Sequence, residues 1–200
     1  MLKCGLSEVD ITPVLGKYIP GYFHERLGTS IKDPLYARGW AVESEGISLI
    51  IISLDALVVM FEDAVEIKNR VSEFTGLPVD HVMVSATHTH TGGPADIFME
   101  GNSDVEYRNL YVQKAADAGI MAYQTRKPAC VGFGAGTENG ISFNRRYYMK
   151  DGSIKTNPGV QSPDIVKAAG LIDPDVTVIR VNSLEGQRRR KRRRQRRKGT

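Results

Sequence analysis

The sequence predicts an α/β fold, a layered mixed sheet with βαβ units, and three observations predict it. A β-branched run at residues 47–55, an amphipathic stretch at 61–74 and a second apolar run at 81–86 follow one another as strand, helix, strand. The alternation resumes with a helical stretch after Asp104 and a strand-like run at 129–135. The chain has 200 residues and is 41% hydrophobic, which suits one globular domain carrying a short appendage.

Residues 2–10 form the expected first strand, closed by Thr12-Pro13. Residues 14–34 hold Gly16, Pro20, Gly21, Gly28 and Pro34, so they are expected to be a loop, and a loop of that length in a compact domain is usually functional. Two strands follow at 36–44 and 47–55, joined by a tight turn at Glu45-Gly46. The second is almost unbroken Ile and Leu, the pattern of a strand covered on both faces. In the helix at 61–74, Phe61, Ala64, Val65, Lys68, Val71 and Phe74 share a face, and Gly76-Leu77-Pro78 stops it. The strand at 81–86 is then expected to run parallel to 47–55 through a right-handed crossover. Asp104 is placed to cap a helix reaching about Arg126, with Tyr107, Leu110, Tyr111, Ala115, Ala118 and Ala122 inward. A strand is expected at 129–135 and a hairpin at 147–155 around Asp151-Gly152. Residues 161–171 look irregular or briefly helical, and 175–182 form a late strand.

Charge separates the chain into two parts. Residues 187–200 carry ten Lys and Arg and no acid; without them 17 basic side chains face 23 acidic ones, a net charge of −6. The body is therefore mildly acidic, and the overall basic balance is no nucleic-acid footprint of the folded part. Like charges at that density repel and do not pack, so residues 187–200 are expected to be a disordered Arg-rich tail. Such a tail is suited to nucleic-acid phosphates or an anionic surface. The rival account is a frameshift or premature end, because a strand is expected there and arginines do not make one. Cys4 and Cys130 are too few and too far apart for a metal or disulfide framework and are expected to be buried thiols. The longest apolar run, 46–60, is interrupted by Ser48, Ser53 and Asp55 and is shorter than the roughly 20 residues of a membrane span. No signal peptide is visible at the amino terminus, so a cytoplasmic product is expected. The sequence assigns no oligomeric state.

The densest polar feature is Ser85-Ala-Thr-His88-Thr-His90-Thr-Gly-Gly-Pro94, placed where a strand ends in an α/β sheet. With an extended backbone His88 and His90 project to one side. Two imidazoles there can hold one ion, or one can bind a metal while the other faces a substrate. Zinc suits imidazole donors and, in hydrolytic sites, lowers the pKa of bound water to roughly 7. The alternative is a pair of surface histidines in a loop. Asp55, at the end of the neighbouring strand, is placed either to accept a histidine ring N–H or to cap the following helix. His24, in the loop after Gly21, either lines a pocket entrance or is exposed.

The string Ala86-Thr-His-Thr-His-Thr-Gly92 resembles the Thr-His-Thr-His-Ser-Gly signature of the neutral/alkaline, non-lysosomal ceramidases. Gly5-Leu-Ser-Glu-Val-Asp-Ile-Thr-Pro13, Pro20-Gly-Tyr22, Asp33-Pro-Leu-Tyr-Ala-Arg38 and Phe143-Asn-Arg145 resemble further family segments in the same order, so the resemblance spans about residues 3–186. It implies a zinc amidohydrolase that cleaves the N-acyl bond of ceramide, or of a related lipid-like small molecule, to sphingosine and fatty acid. It implies His88 as a zinc ligand, with His90 and Arg145 as catalytic groups at the developing oxyanion; an arginine lying on the surface beside Arg146 is the other reading of Arg145. The family draws a further histidine, a glutamate and a tyrosine for zinc, and a catalytic serine, from downstream. Residues 1–186 are thus expected to be a partial hydrolase domain, incomplete and inactive as it stands.

Overall fold

The computed structural model describes residues 1–95, 104–159 and 161–184. The expected tail at 187–200 lies outside them. The described chain divides into two compact units, one of Met1–Cys130 with the segment from Asn182, the other of Val131–Val181.

In the first unit, β1 (Lys3–Asp10), β2 (Tyr36–Ser44) and β3 (Ile47–Leu54) form an antiparallel meander, and α1 (Phe61–Thr75) leads to β4 (Val82–Ala86). β3 and β4 pair parallel, with Ile50 opposite Val82 and Leu54 opposite Ala86, as the strand, helix, strand pattern predicts. α2 (Val105–Gln124) then leads to β5 (Lys127–Thr137), and β9 (Asp175–Ser183) returns the chain. The sheet order is β4-β3-β2-β1-β5-β9, a mixed sheet, with β5 and β9 continuing into the second unit.

α2 starts as its sequence dictates, with the Asp104 carboxylate accepting the Tyr107 backbone N–H at 2.9 Å. Tyr107, Tyr111, Ala115, Ala118 and Ala122 are buried as expected, but Leu110 is 45% exposed, at the edge of the apolar stripe. The small residues let the helix lie very close to β1 and β2, and the Ser7 hydroxyl donates to the Ala118 carbonyl at 2.5 Å.

Two expectations about which face is covered are corrected. β3 alternates: Ser48, Ile50, Ile52 and Leu54 are buried, while Ile47 and Leu49 are exposed. Helices cover one face of this sheet; on the other, Leu6, Leu49 and Met83 stand exposed. The run of β-branched residues therefore reports β propensity, not two covered faces. In α1 the buried stripe is Asp63, Ile67 and Val71, whereas Phe61 and Phe74 are exposed. The stripe is turned toward α2 because Asp63 pairs with Arg108 there. α1 stops at Gly76, whose φ of +73° is the left-handed cap that glycine adopts freely.

The second unit holds a three-stranded sheet, β7 (Ile154–Thr156), β6 (Arg146–Met149) and β8 (Ile165–Ala168), in the order β7-β6-β8. The β6–β7 hairpin turns at Asp151-Gly152, with Gly152 at φ +81°, as its turn residues predict. Residues 161–171 are neither irregular throughout nor helical: β8 pairs antiparallel with β6 through a register shift at Tyr148/Met149. Of the two thiols, Cys4 is buried and Cys130 only half-buried, its Sγ 3.4 Å from the Asn182 carbonyl.

No described helix is long and apolar enough to cross a membrane.

Candidate functional site

β3 and β4 end side by side, and the loops that leave them run together. The Thr87 N–H donates to the Leu54 carbonyl at 2.9 Å and the Thr89 N–H to the Ala56 carbonyl at 3.1 Å. Strand geometry stops at Ala86, and His88 sits at φ +60°, in the left-handed region. The extended backbone expected to put the two histidines on one side is not what brings them together; a turn does. Left-handed backbone at a residue other than glycine is uncommon and gathers at functional sites.

The rings meet edge to face, with centroids 4.9 Å apart and Nε2 atoms 3.3 Å apart. His88 Nδ1 lies 2.9 Å from the Leu57 carbonyl, and His90 Nδ1 lies 2.7 Å from the Gly21 carbonyl. A carbonyl only accepts, so each Nδ1 carries a proton, and the two Nε2 atoms are left facing one another. Two lone pairs at that distance repel unless a cation or a proton lies between them. Backbone carbonyls on the far ring nitrogens are also what orients histidines that bind metal. Nitrogens bonded to zinc at 2.0–2.1 Å in a tetrahedral shell are about 3.3–3.4 Å apart, which matches the observed spacing. The pair thus fits zinc as two of its donors. No group of three or more His, Cys, Asp or Glu gathers here or elsewhere among the described residues.

Gly21 makes the approach possible. Its φ is +99°, and a Cβ on it would stand 2.8 Å from His90 Nδ1. Tyr22 meets the His90 ring edge-on at 5.9 Å and the His24 ring at 5.7 Å, while His24 itself is exposed. Arg26 stacks on the Tyr22 ring at 3.7 Å and donates from Nη2 to the His90 carbonyl at 2.6 Å. Sequence reasoning marked the loop of residues 14–34 as functional but did not single out Arg26, because nothing in its spacing ties it to position 90.

Asp55 takes neither of its two expected roles. Its Oδ2 accepts from the Tyr36 N–H at 3.0 Å and from Arg38 Nη1 at 2.7 Å, which fastens the end of β3 to β2. The residue capping α1 is Met60, without a side-chain bond. Asp55 also borders a cavity of about 430 Å³, whose walls include Leu15, Ile31, Thr89 and Thr91. Arg145 belongs to the second unit. It is exposed, one residue ahead of β6, and its carbonyl accepts the Asn157 N–H at 2.8 Å.

The floor of the histidine loop is Gly93, and the Tyr107 ring fills the space where its side chain would be. A Cβ there would stand 2.3 Å from Tyr107 Cζ. Tyr107 cannot retreat easily: it is buried, and its hydroxyl donates to the Ile11 carbonyl at 2.6 Å. Burial, reinforced by the nearby Asp10 charge, pushes this phenol above its usual range, so it stays a donor. Gly93→Ala is therefore expected to cost about 1–3 kcal/mol of stability, as overpacking does, and to displace the histidine loop. Chemical shifts of the His88 and His90 rings would check this; unchanged ring signals would refute it.

No protein-family model matches the sequence, and no curated protein matches it either. Among solved structures the fold is similar to neutral ceramidase from Pseudomonas aeruginosa, with TM-score 0.70 and 20% identity over 92% of this chain. A second similar structure is a ceramidase complexed with C2, again at TM-score 0.70 and 20% identity over 92% of this chain. The chain spans about three tenths of the length of those proteins, 30% and 29%. The described chain thus has the fold of part of a neutral ceramidase, with its histidine pair at the loop end of the two parallel strands.

Proposed function

We propose that this chain contributes to a zinc-dependent amidohydrolase of ceramidase type, acting on the N-acyl bond of ceramide or a related lipid. The observation that carries the reading is the facing Nε2 pair, 3.3 Å apart with both Nδ1 atoms on backbone carbonyls. The fold likeness to neutral ceramidase supports the substrate class.

His88 and His90 hold the ion together in this proposal, a wider role for His90 than the resemblance alone implies. Zinc held by His88 and His90 would supply Lewis acidity and an activated water near neutral pH. Leu57 and Gly21 keep both rings in the tautomer that leaves Nε2 free to bind. Two nitrogen donors are short of a closed zinc shell, so the described residues need further donors for tight binding and full turnover.

Titration with Co²⁺, followed by visible absorption, tests the reading. The 200-residue chain is expected to bind the ion. His88→Ala is expected to weaken binding about a hundredfold or more, beyond the roughly 10–100-fold cost of losing an outer-shell partner. Equal binding by His88→Ala, or no binding by the parent chain, would overturn the proposal. In parallel, a fluorescent acyl-sphingosine with zinc is expected to show little turnover; robust turnover would refute the need for further donors.

A further inference from the structure

We infer that Arg26 is a positioning residue, which holds His90 in the tautomer and orientation that turn its Nε2 toward His88. The observations that carry this concern the metal-free chain; only the second readout below rests on the proposed metal role.

Arg26 lies at the base of a hairpin-like loop. The Ile19 N–H donates to the Arg26 carbonyl at 2.8 Å, and Tyr18 bridges to Leu27. The turn between them carries Gly21 and Tyr22 over His90. From that base the guanidinium grips both partners of one hydrogen bond. On the donor side, Nη2 binds the His90 carbonyl at 2.6 Å and restrains the backbone of the ring that donates. On the acceptor side, the guanidinium covers the Tyr22 ring at 3.7 Å. Tyr22 shares a peptide plane with Gly21, and the Gly21 carbonyl is the acceptor for His90 Nδ1 at 2.7 Å. Holding the Tyr22 ring therefore restrains the peptide that carries that carbonyl.

The third donor takes no part in this grip. Arg26 Nε is enclosed and has no acceptor. A desolvated donor without a partner is unfavourable, and such groups in a folded protein call for an explanation. Here stacking and the Nη2 bond together set the guanidinium plane, and Nε is left where that plane puts it. Lysine cannot substitute, because a single ammonium on a flexible stem lacks the planar surface and the second donor direction.

The test reads the imidazole tautomers directly. Long-range ¹H–¹⁵N spectra of the metal-free 200-residue chain, at a pH where the rings are neutral, are expected to show His90 wholly as the Nδ1–H form. In Arg26→Ala, His90 is expected to become a mixture of tautomers, while His81 keeps its signals, its Nδ1 being held by the Ser48 carbonyl at 2.9 Å. Arg26→Lys, which keeps the charge, is expected to give a mixture as well. The inference is overturned if His90 stays wholly Nδ1–H in Arg26→Ala, or if Arg26→Lys behaves as the parent chain. Should Arg26→Ala not fold, Arg26→Lys decides by the same criterion. As a second readout, Co²⁺ affinity is expected to fall about tenfold in Arg26→Ala, the low end for an outer-shell partner. A parent chain that binds no Co²⁺ would overturn the metal reading alone, and the tautomers would still decide the role of Arg26.

Discussion

Replacing Arg108 with alanine is expected to destabilise the chain by about 2–3 kcal/mol at neutral pH, because it leaves the buried Asp63 carboxylate without its charged partner, which is itself only partly buried. Asp63 is 2% exposed on the buried stripe of α1, and Arg108 on α2 is its ion-pair partner. Burial raises the Asp63 pKa, and the Arg108 bond and charge oppose that rise without cancelling it. The sign of the pH dependence follows. A carboxyl whose folded pKa lies above its unfolded value binds more protons when folded, so its penalty is fully present above the folded pKa and is relieved as pH falls through it. Without Arg108 the pKa rises further, so the gap between variant and parent is expected to be widest at neutral pH and to narrow on acidification. The absolute stability of both chains carries an opposite contribution, because Asp10 and Asp104 have lowered pKa values and their stabilisation is lost as pH falls through them. Urea unfolding at several pH values checks both signs. A gap that is below about 1 kcal/mol, as at an exposed pair, or that does not change with pH, would sink the account. Replacing both partners by leucine is expected to recover most of the loss, since an apolar pair of similar volume often serves as well.

Gly39→Ala is expected to cost about 3 kcal/mol or more, the upper end for overpacking plus a lost hydrogen bond. A Cβ on Gly39 would stand 2.2 Å from the Ala118 carbonyl oxygen and 2.6 Å from Ser7 Oγ. The first contact is backbone in the middle of α2, which no rotamer change relieves, and the second breaks the bond from Ser7 to Ala118. Gly5 is the same device one strand over, where a Cβ would stand 1.9 Å from the Ala122 carbonyl oxygen. Either substitution lifts the same helix, so Gly5→Ala and Gly39→Ala together are expected to cost less than their sum. A Cβ on Gly132 would meet nothing within 4 Å, and Gly132→Ala serves as the control. If denaturant midpoints show Gly39→Ala no worse than Gly132→Ala, the close seat of α2 is not what holds this sheet.

Local signals were strong where one segment decides its own state. The turn at Glu45-Gly46, the Asp104 cap, the Asp151-Gly152 hairpin and the glycine stop of α1 are short-range chemistry, and each appears where its residues stand. Burial was harder to read. The apolar pattern of β3 does not say which faces are covered, and that of α1 does not reveal that Asp63 goes inward and Phe61 outward, since both depend on what packs against them.

The sequence by itself determined the mixed α/β order, the parallel pair that ends at the histidine loop, and the candidacy of His88 and His90. Tertiary structure alone decided how those rings meet. A left-handed turn at His88, a carbonyl from Gly21 some seventy residues away in the chain and the guanidinium of Arg26 set the 3.3 Å separation of the two nitrogens. It also gave Asp55 to Arg38 and not to a histidine. The reason is physical: periodicity and turn residues act over a few positions, whereas a tautomer is set by whichever acceptor the fold brings to the far side of the ring.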